Sequence, residues 1–363
     1  MLPQRSRLLR LGLLVFVFLA IPMPASAHEK WFIDGRLYPP HFGLLFTLPV
    51  LLMVGLACGG VASLALLRHL AGGDNRFLQL GFLRYYDRSN RVILAVEAAI
   101  SLVAIAVGLH LFAPNLNAHT VGVNLFFAAI ELFVAFSFVA GLLTRIGACV
   151  LLGLFGVAFF FFPAWEVLEQ SVFAGIALYL LIMGRGLAKP EGSREWLSGL
   201  SRHWRLAPTL LSVGAGTSIA VLAFTEKLLD PALAQAFLKV YPTFNVARLL
   251  GLTWFTNERL ILAAGAVELT IGLCLISGIL PRLVIAFMFV PFNLTLPFLP
   301  ATELLGHLPI FAVMYVLFFL PPRDVQEMDA APQIPHRSML AEHQNSRGGL
   351  LSGQHASSSV SEE

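Results

Sequence analysis

Charge is what this sequence has least of: Asp, Glu, Lys and Arg together make up 12% of its 363 residues. The formal balance is only +3, and the basic residues lie between apolar runs rather than on one patch, which excludes a nucleic-acid partner. Cysteine is nearly absent. Cys58, Cys149 and Cys274 stand singly inside apolar runs without a CxxC pair, which excludes a disulfide framework or a dithiol redox centre. Each reads as a small buried hydrophobe. There is no haem, flavin or iron–sulfur signature, so electrons for any redox role would come from a partner protein.

What the chain does have is apolar length. Hydrophobic residues make up 57%, with several runs of about the twenty residues that span a bilayer as a helix. The fold class follows as all-α, a polytopic helical membrane protein in the lipid bilayer. Arg5, Arg7 and Arg10, the apolar stretch 11–21 and Ala25-Ser26-Ala27 predict a signal peptide over 1–27, with an uncleaved anchor as the alternative. Nine spans are predicted near 43–68, 92–112, 122–143, 146–163, 170–187, 207–227, 260–280, 283–299 and 303–320. Arginine and lysine gather in the 69–91 and 188–206 connections, placing both in the cytoplasm by the positive-inside bias. The reading is therefore an inner (plasma) membrane multi-pass protein with a periplasmic N-terminus and a cytoplasmic C-terminus.

An internal repeat organises these spans. Glu131, Gly141, Arg145, Pro163, Ala164 and Glu166 recur 137 residues later as Glu268, Gly278, Arg282, Pro300, Ala301 and Glu303, with Gln170 opposite His307. The expected layout is a 28–91 segment holding one extra N-terminal transmembrane helix, then two tandem four-helix bundles at 92–187 and 207–320. A cytoplasmic linker, 188–206, joins them, and a polar, disordered tail, 321–363, follows. The second unit carries an aromatic insert, 234–258, expected at the outer interface.

Carboxylates inside spanning helices are costly, so a repeated one marks either a working site or helix-to-helix glue. Glu131, Glu166, Gln170 and His110 are expected to form one outward polar pocket. Glu226, Lys227, Glu268, Glu303 and His307 form the other. Lys227 is the expected partner of Glu268 or Glu303, and His110 of Glu131 or Glu166. Glu97 reads as structural, Arg145 and Arg282 as anchors at tight turns. A chain beginning at His28 after processing would offer an α-amine and an imidazole together, a chelate suited to copper, although a plain residue after a cleavage site is the simpler account.

The stretch from Glu131 to Gly141-Leu142-Leu143-Thr144-Arg145, its copy from Glu268 to Gly278-Ile279-Leu280-Pro281-Arg282, and Phe224-Thr225-Glu226-Lys227-Leu228 before Pro231 resemble the DoxX family of small four-helix bacterial membrane proteins. The resemblance covers roughly 92–187 and 207–320. It implies a membrane component of a redox system, sometimes beside a quinone-reactive partner, and a non-catalytic subunit of an oxidoreductase complex is one form of that. The chain departs from the pattern by fusing two units, by His110 standing where the second copy has Lys227, and by Gln170 standing where it has His307. Two alternatives remain open: a periplasm-facing copper-binding or transport protein, and an assembly scaffold without chemistry.

Overall fold

The computed structural model describes residues 29–70, 87–185, 199–295 and 301–320, without the side chains of 87–88, 294–295 and 301–303. The signal segment, His28, most of the 188–206 linker and the 321–363 tail lie outside the described residues. Twelve α-helices follow one another: α1 Leu48–Leu70, α2 Asp87–Val107, α3 Val121–Ala140, α4 Thr144–Ala158, α5 Ala164–Glu169, α6 Ser171–Met183, α7 Ala207–Leu222, α8 Pro231–Val240, α9 Val246–Leu249, α10 Asn257–Ser277, α11 Pro281–Thr295 and α12 Ala301–Phe318. Among the described residues the only β feature is an isolated bridge between Leu111 and Ala113.

The protein is an all-helical integral membrane protein. Among the described residues five segments are long and apolar enough to cross a membrane: 48–70, 89–107, 121–140, 199–228 and 257–277. Four shorter apolar helices, α4, α6, α11 and α12, occupy the other positions read as spans. The first span begins at Leu48 rather than 43, because Phe42–Phe46 winds as a 3₁₀ turn.

The corresponding turns of the two repeats have the same backbone. Gly141 (φ 66°) ends α3 and Gly278 (φ 64°) ends α10, each in the left-handed conformation that glycine enters at little cost. Leu143 (φ 59°) and Leu280 (φ 46°) follow, also left-handed, so each chain reverses within a few residues. The next arginine then closes the end of its repeat's last helix. Arg145 donates to the carbonyls of Leu181 (3.1 Å) and Ile182 (3.2 Å), and Arg282 donates to that of Leu320. A guanidinium there satisfies carbonyls that have no helical partner.

Helix order sets the packing. α2 packs on α3, α3 on α4 and α4 on α6; α7 packs on α10, α10 on α11 and α11 on α12. The two sets meet where α7 packs on α6 and α12 on α2. Lipid supplies no hydrophobic drive between helices, so close approach at small residues has to hold them. A Cβ at Gly214 of α7 would stand 2.6 Å from Gly175 Cα of α6, and one at Gly216 would stand 2.6 Å from the Gly272 carbonyl of α10. Ser171 and Ser212 add hydrogen bonds to the carbonyls of Gly214 (2.9 Å) and Leu275 (2.7 Å). α1 docks on α10, where a Cβ at Gly60 would meet Thr270 Cγ2 at 3.0 Å; Gly55 and Gly59 meet nothing within 4 Å.

Two connections shape the site. The 108–120 connection folds inward: Leu111, Phe112, Ala113 and Leu116 are all fully buried, with Phe112 stacked 5.4 Å from Phe173. Irregular backbone at membrane depth is tolerable where protein covers it. The 234–258 insert starts within α8, whose N-terminus is capped by Asp230 accepting from the Leu233 N–H at 3.1 Å. Phe237, Tyr241 and Phe244 gather there around Phe32 of the N-terminal segment. The insert is an aromatic seat for residues 29–33, while Trp254 remains exposed.

Candidate functional site

The site begins with an irregularity in α7. From Ala223 to Leu228 the helix widens into a π turn, closed by the Leu229 N–H donating to the Phe224 carbonyl at 2.8 Å. Such single-turn bulges change which residues face inward and are frequent at functional sites. Here Thr225, Glu226, Lys227 and Leu228 are all buried at once.

Around that turn six charged side chains form one continuous network. Lys227 Nζ lies 3.1 Å from Glu268 Oε2 of α10 and 3.8 Å from Glu29 Oε1 of the N-terminal segment. The Glu29 N–H donates to Glu226 Oε2 at 3.1 Å. Lys30 is ion-paired with Glu169 of α5, which also accepts from Thr225 Oγ1 at 2.6 Å. Ser218 of α7 donates to the Glu169 carbonyl. Glu29, Lys30, Glu169, Glu226 and Lys227 are buried, and the Glu268 side chain is 12% exposed. Among the described residues four carboxyl groups face two ammonium groups, so the fully ionised set carries two negative charges in excess. Glu226 Oε1 is buried with no hydrogen-bond partner among the described residues.

Outside the spanning helices the electrostatics can be followed group by group. Burial raises the Glu169 carboxyl from 4.5 to about 7; the Lys30 charge pulls it down, and Glu226 pushes it up again. Burial lowers Lys30, but Glu169 and then Glu226 outweigh it, so its ammonium is held above the ordinary lysine value. Glu169 thus binds its proton more tightly than a free carboxyl, while Lys30 keeps its ammonium charge.

A cavity of about 450 Å³ touches this network through Lys30. Trp31, Tyr38, His110, Asn117, Trp165 and Glu166 are among its walls. The Trp165 indole N–H is buried without a partner among the described residues. Burial raises Glu166, partly offset by Lys30 and by an Asn115 amide at 3.5 Å; burial lowers His110.

The expected residues are thus partly gathered. Glu226, Lys227 and Glu268 meet as expected. His110 does not pair with Glu131: it lies 3.5 Å from Asn117, whereas Glu131 Oε1 accepts from the Phe112 N–H at 2.9 Å. The inward loop has put a backbone donor where a side chain was expected. His110 and Glu166 instead share the cavity wall. Gln170 is buried at the junction of α5 and α6, its carbonyl accepting from the Phe173 N–H at 3.0 Å. His307 is buried with its ring against Phe292 (4.8 Å) and Phe311 (5.8 Å). The Glu303 side chain and His28 lie outside the described residues. Among the described residues Glu226, Lys227 and Glu268 join Glu29, Lys30 and Glu169 in a network that Glu169 ties across α5 and α7. Among the described residues no group of three or more His, Cys, Asp or Glu is placed to hold a metal ion.

Glu29, Lys30, Glu169 and Thr225 are the members that sequence reasoning missed. Glu169 has Gly306 as its repeat counterpart, so a search for duplicated polar residues passes over it. Glu29 and Lys30 lie outside the repeat altogether. Compared with family models, with curated proteins and with solved structures, the chain has no match.

Proposed function

We propose that this chain is a duplicated, DoxX-like membrane protein that takes up and releases protons at the Glu/Lys network, on behalf of a quinone-linked redox reaction run with a partner protein. The carrying observation is the surplus of two carboxyl groups in a dry network that already contains both available ammonium groups. Uncompensated charge of that kind is relieved by binding protons, because ionised carboxyls without partners are expensive away from water. The neighbouring cavity supports exchange with the exterior, since it reaches Lys30 and offers the Trp165 N–H and His110 as polar groups. The matched Gly141 and Gly278 turns and the paired arginines support the duplication. The redox and quinone parts rest on the resemblance and on what the residues can supply: protons for a reduced headgroup and donors for its carbonyls.

Infrared difference spectroscopy of the purified protein, stepped between about pH 5 and 8, tests proton exchange. We expect a carboxylic-acid band that diminishes in Glu169→Gln. An unchanged band in that variant would refute the reading. Purification from native membranes with a bound redox protein would support the second part, and loss of that assembly's quinone-dependent turnover in Glu268→Ala would extend it to this site.

A further inference from the structure

Glu97 is a carboxyl in a spanning helix that lies outside the proton-exchange network. Glu97 lies ten residues from either end of α2, so it sits ~15 Å from each. For a helix that crosses the membrane, that is near mid-bilayer. Its Oε2 is buried with no hydrogen-bond partner among the described residues. Beside it runs a groove of about 670 Å³ between α2, α11 and α12, lined chiefly by apolar side chains including Ile285, Phe289, Leu308 and Phe311. Phe289 and Leu304 on its edge are largely exposed, so it opens sideways, where lipid would lie. Among the described residues no lysine, arginine or histidine lines it.

We infer that this groove binds a neutral, wholly lipid-dissolved molecule with a carbonyl-bearing head, held through the Glu97 carboxyl. A carboxyl at this depth without a cationic neighbour is kept protonated by the cost of burying its charge, and then donates a hydrogen bond. The acceptor has to reach the middle of the hydrocarbon. Charged and phosphate headgroups are anchored at the interface and do not. A carbonyl carried on an isoprenoid or alkyl body does, and the groove is long and apolar enough for that body. The inference stands apart from proton exchange at the network, which involves no groove residue.

The test is binding of decyl-benzoquinone to the full-length protein in phosphatidylcholine nanodiscs, with farnesol as a competitor that has the body but only a hydroxyl head. We expect Glu97→Leu to weaken binding about tenfold and Glu97→Gln, which keeps a donor, to weaken it much less. Ala286→Trp should fill the groove and abolish binding without touching Glu97. Glu226→Gln and Glu268→Gln should bind as wild type, which separates this site from the network. Equal binding by Glu97→Leu and wild type, unaltered binding by Ala286→Trp, or competition by farnesol as strong as by unlabelled quinone would each overturn the inference. Should Glu97→Leu fail to fold, Ala286→Trp and the competition decide it.

Discussion

Lys227 Nζ stands 3.1 Å from Glu268 Oε2, an ion pair between the π turn that ends α7 and the middle of α10. One repeat earlier the same carboxyl position, Glu131, is answered by a backbone N–H rather than a cation. The two carboxyls therefore differ in what their removal should do.

Removing the cation alone should be the most damaging change. Lys227→Met leaves Glu268 and Glu29 without their ammonium, and breaking a buried ion pair from one side costs about 3–5 kcal/mol. We expect a large fall in the thermal midpoint of the detergent-solubilised protein. Lys227→Met/Glu268→Gln should recover a substantial part of it, because the stranded charge is gone. A double variant no more stable than the single one would show that the pair's geometry matters more than its charge.

Glu131 should tolerate an amide. Glu131→Gln keeps an oxygen for the Phe112 N–H, and we expect a change of no more than about 1 kcal/mol. Glu131→Ala strands that N–H in a fully buried loop whose Phe112 already has φ 59°, with an expected loss of about 1–3 kcal/mol. Equal effects of the two substitutions on unfolding would contradict this account of the loop.

Two glycines give opposite expectations. Gly214→Ala forces a methyl to within 2.6 Å of the Gly175 backbone, so α6 and α7 must separate, at about 1–3 kcal/mol. Gly153 of α4 has nothing within 4 Å of its would-be Cβ, so Gly153→Ala should stabilise by up to about 1 kcal/mol through helix propensity. Melting curves of the two variants compare them directly.

Stability should fall as pH rises through the range where Glu169 titrates. The folded protein holds the Glu169 proton up to about 7, whereas the unfolded chain gives it up near 4.5. The folded state binds that proton more tightly, so its advantage is complete at low pH and declines between those two values. Lys30 does not contribute in this window, because its raised value affects stability only above the ordinary lysine range. Thermal midpoints measured across pH should show a slope in wild type that flattens in Glu169→Gln. An equally steep slope in the variant would assign the titration to another group.

Most of the helical plan was legible because apolar length and glycine–arginine turns report on local structure. Gly141, Arg145 and their copies sit where the register puts them, and Lys227 does meet Glu268. The rest needed information that spacing does not carry. Whether the 108–120 connection lies on the surface or folds inward depends on what fills the space between α2, α3 and α6, and Phe112 fills it. The clamp formed by Glu29 and Lys30 is set by two residues nearly 200 positions from Glu226, on a segment with no periodic signal. The π turn that buries Glu226 and Lys227 together leaves no mark in a 3.6-residue pattern.

Because α2 rests on α12 and α7 on α6, the helices of 87–185 and of 199–320 cover one another's flanks, and cutting the chain between them would bare both contacts. Glu169 lies on one side of that seam and Thr225 on the other, so the charge network would be severed with it.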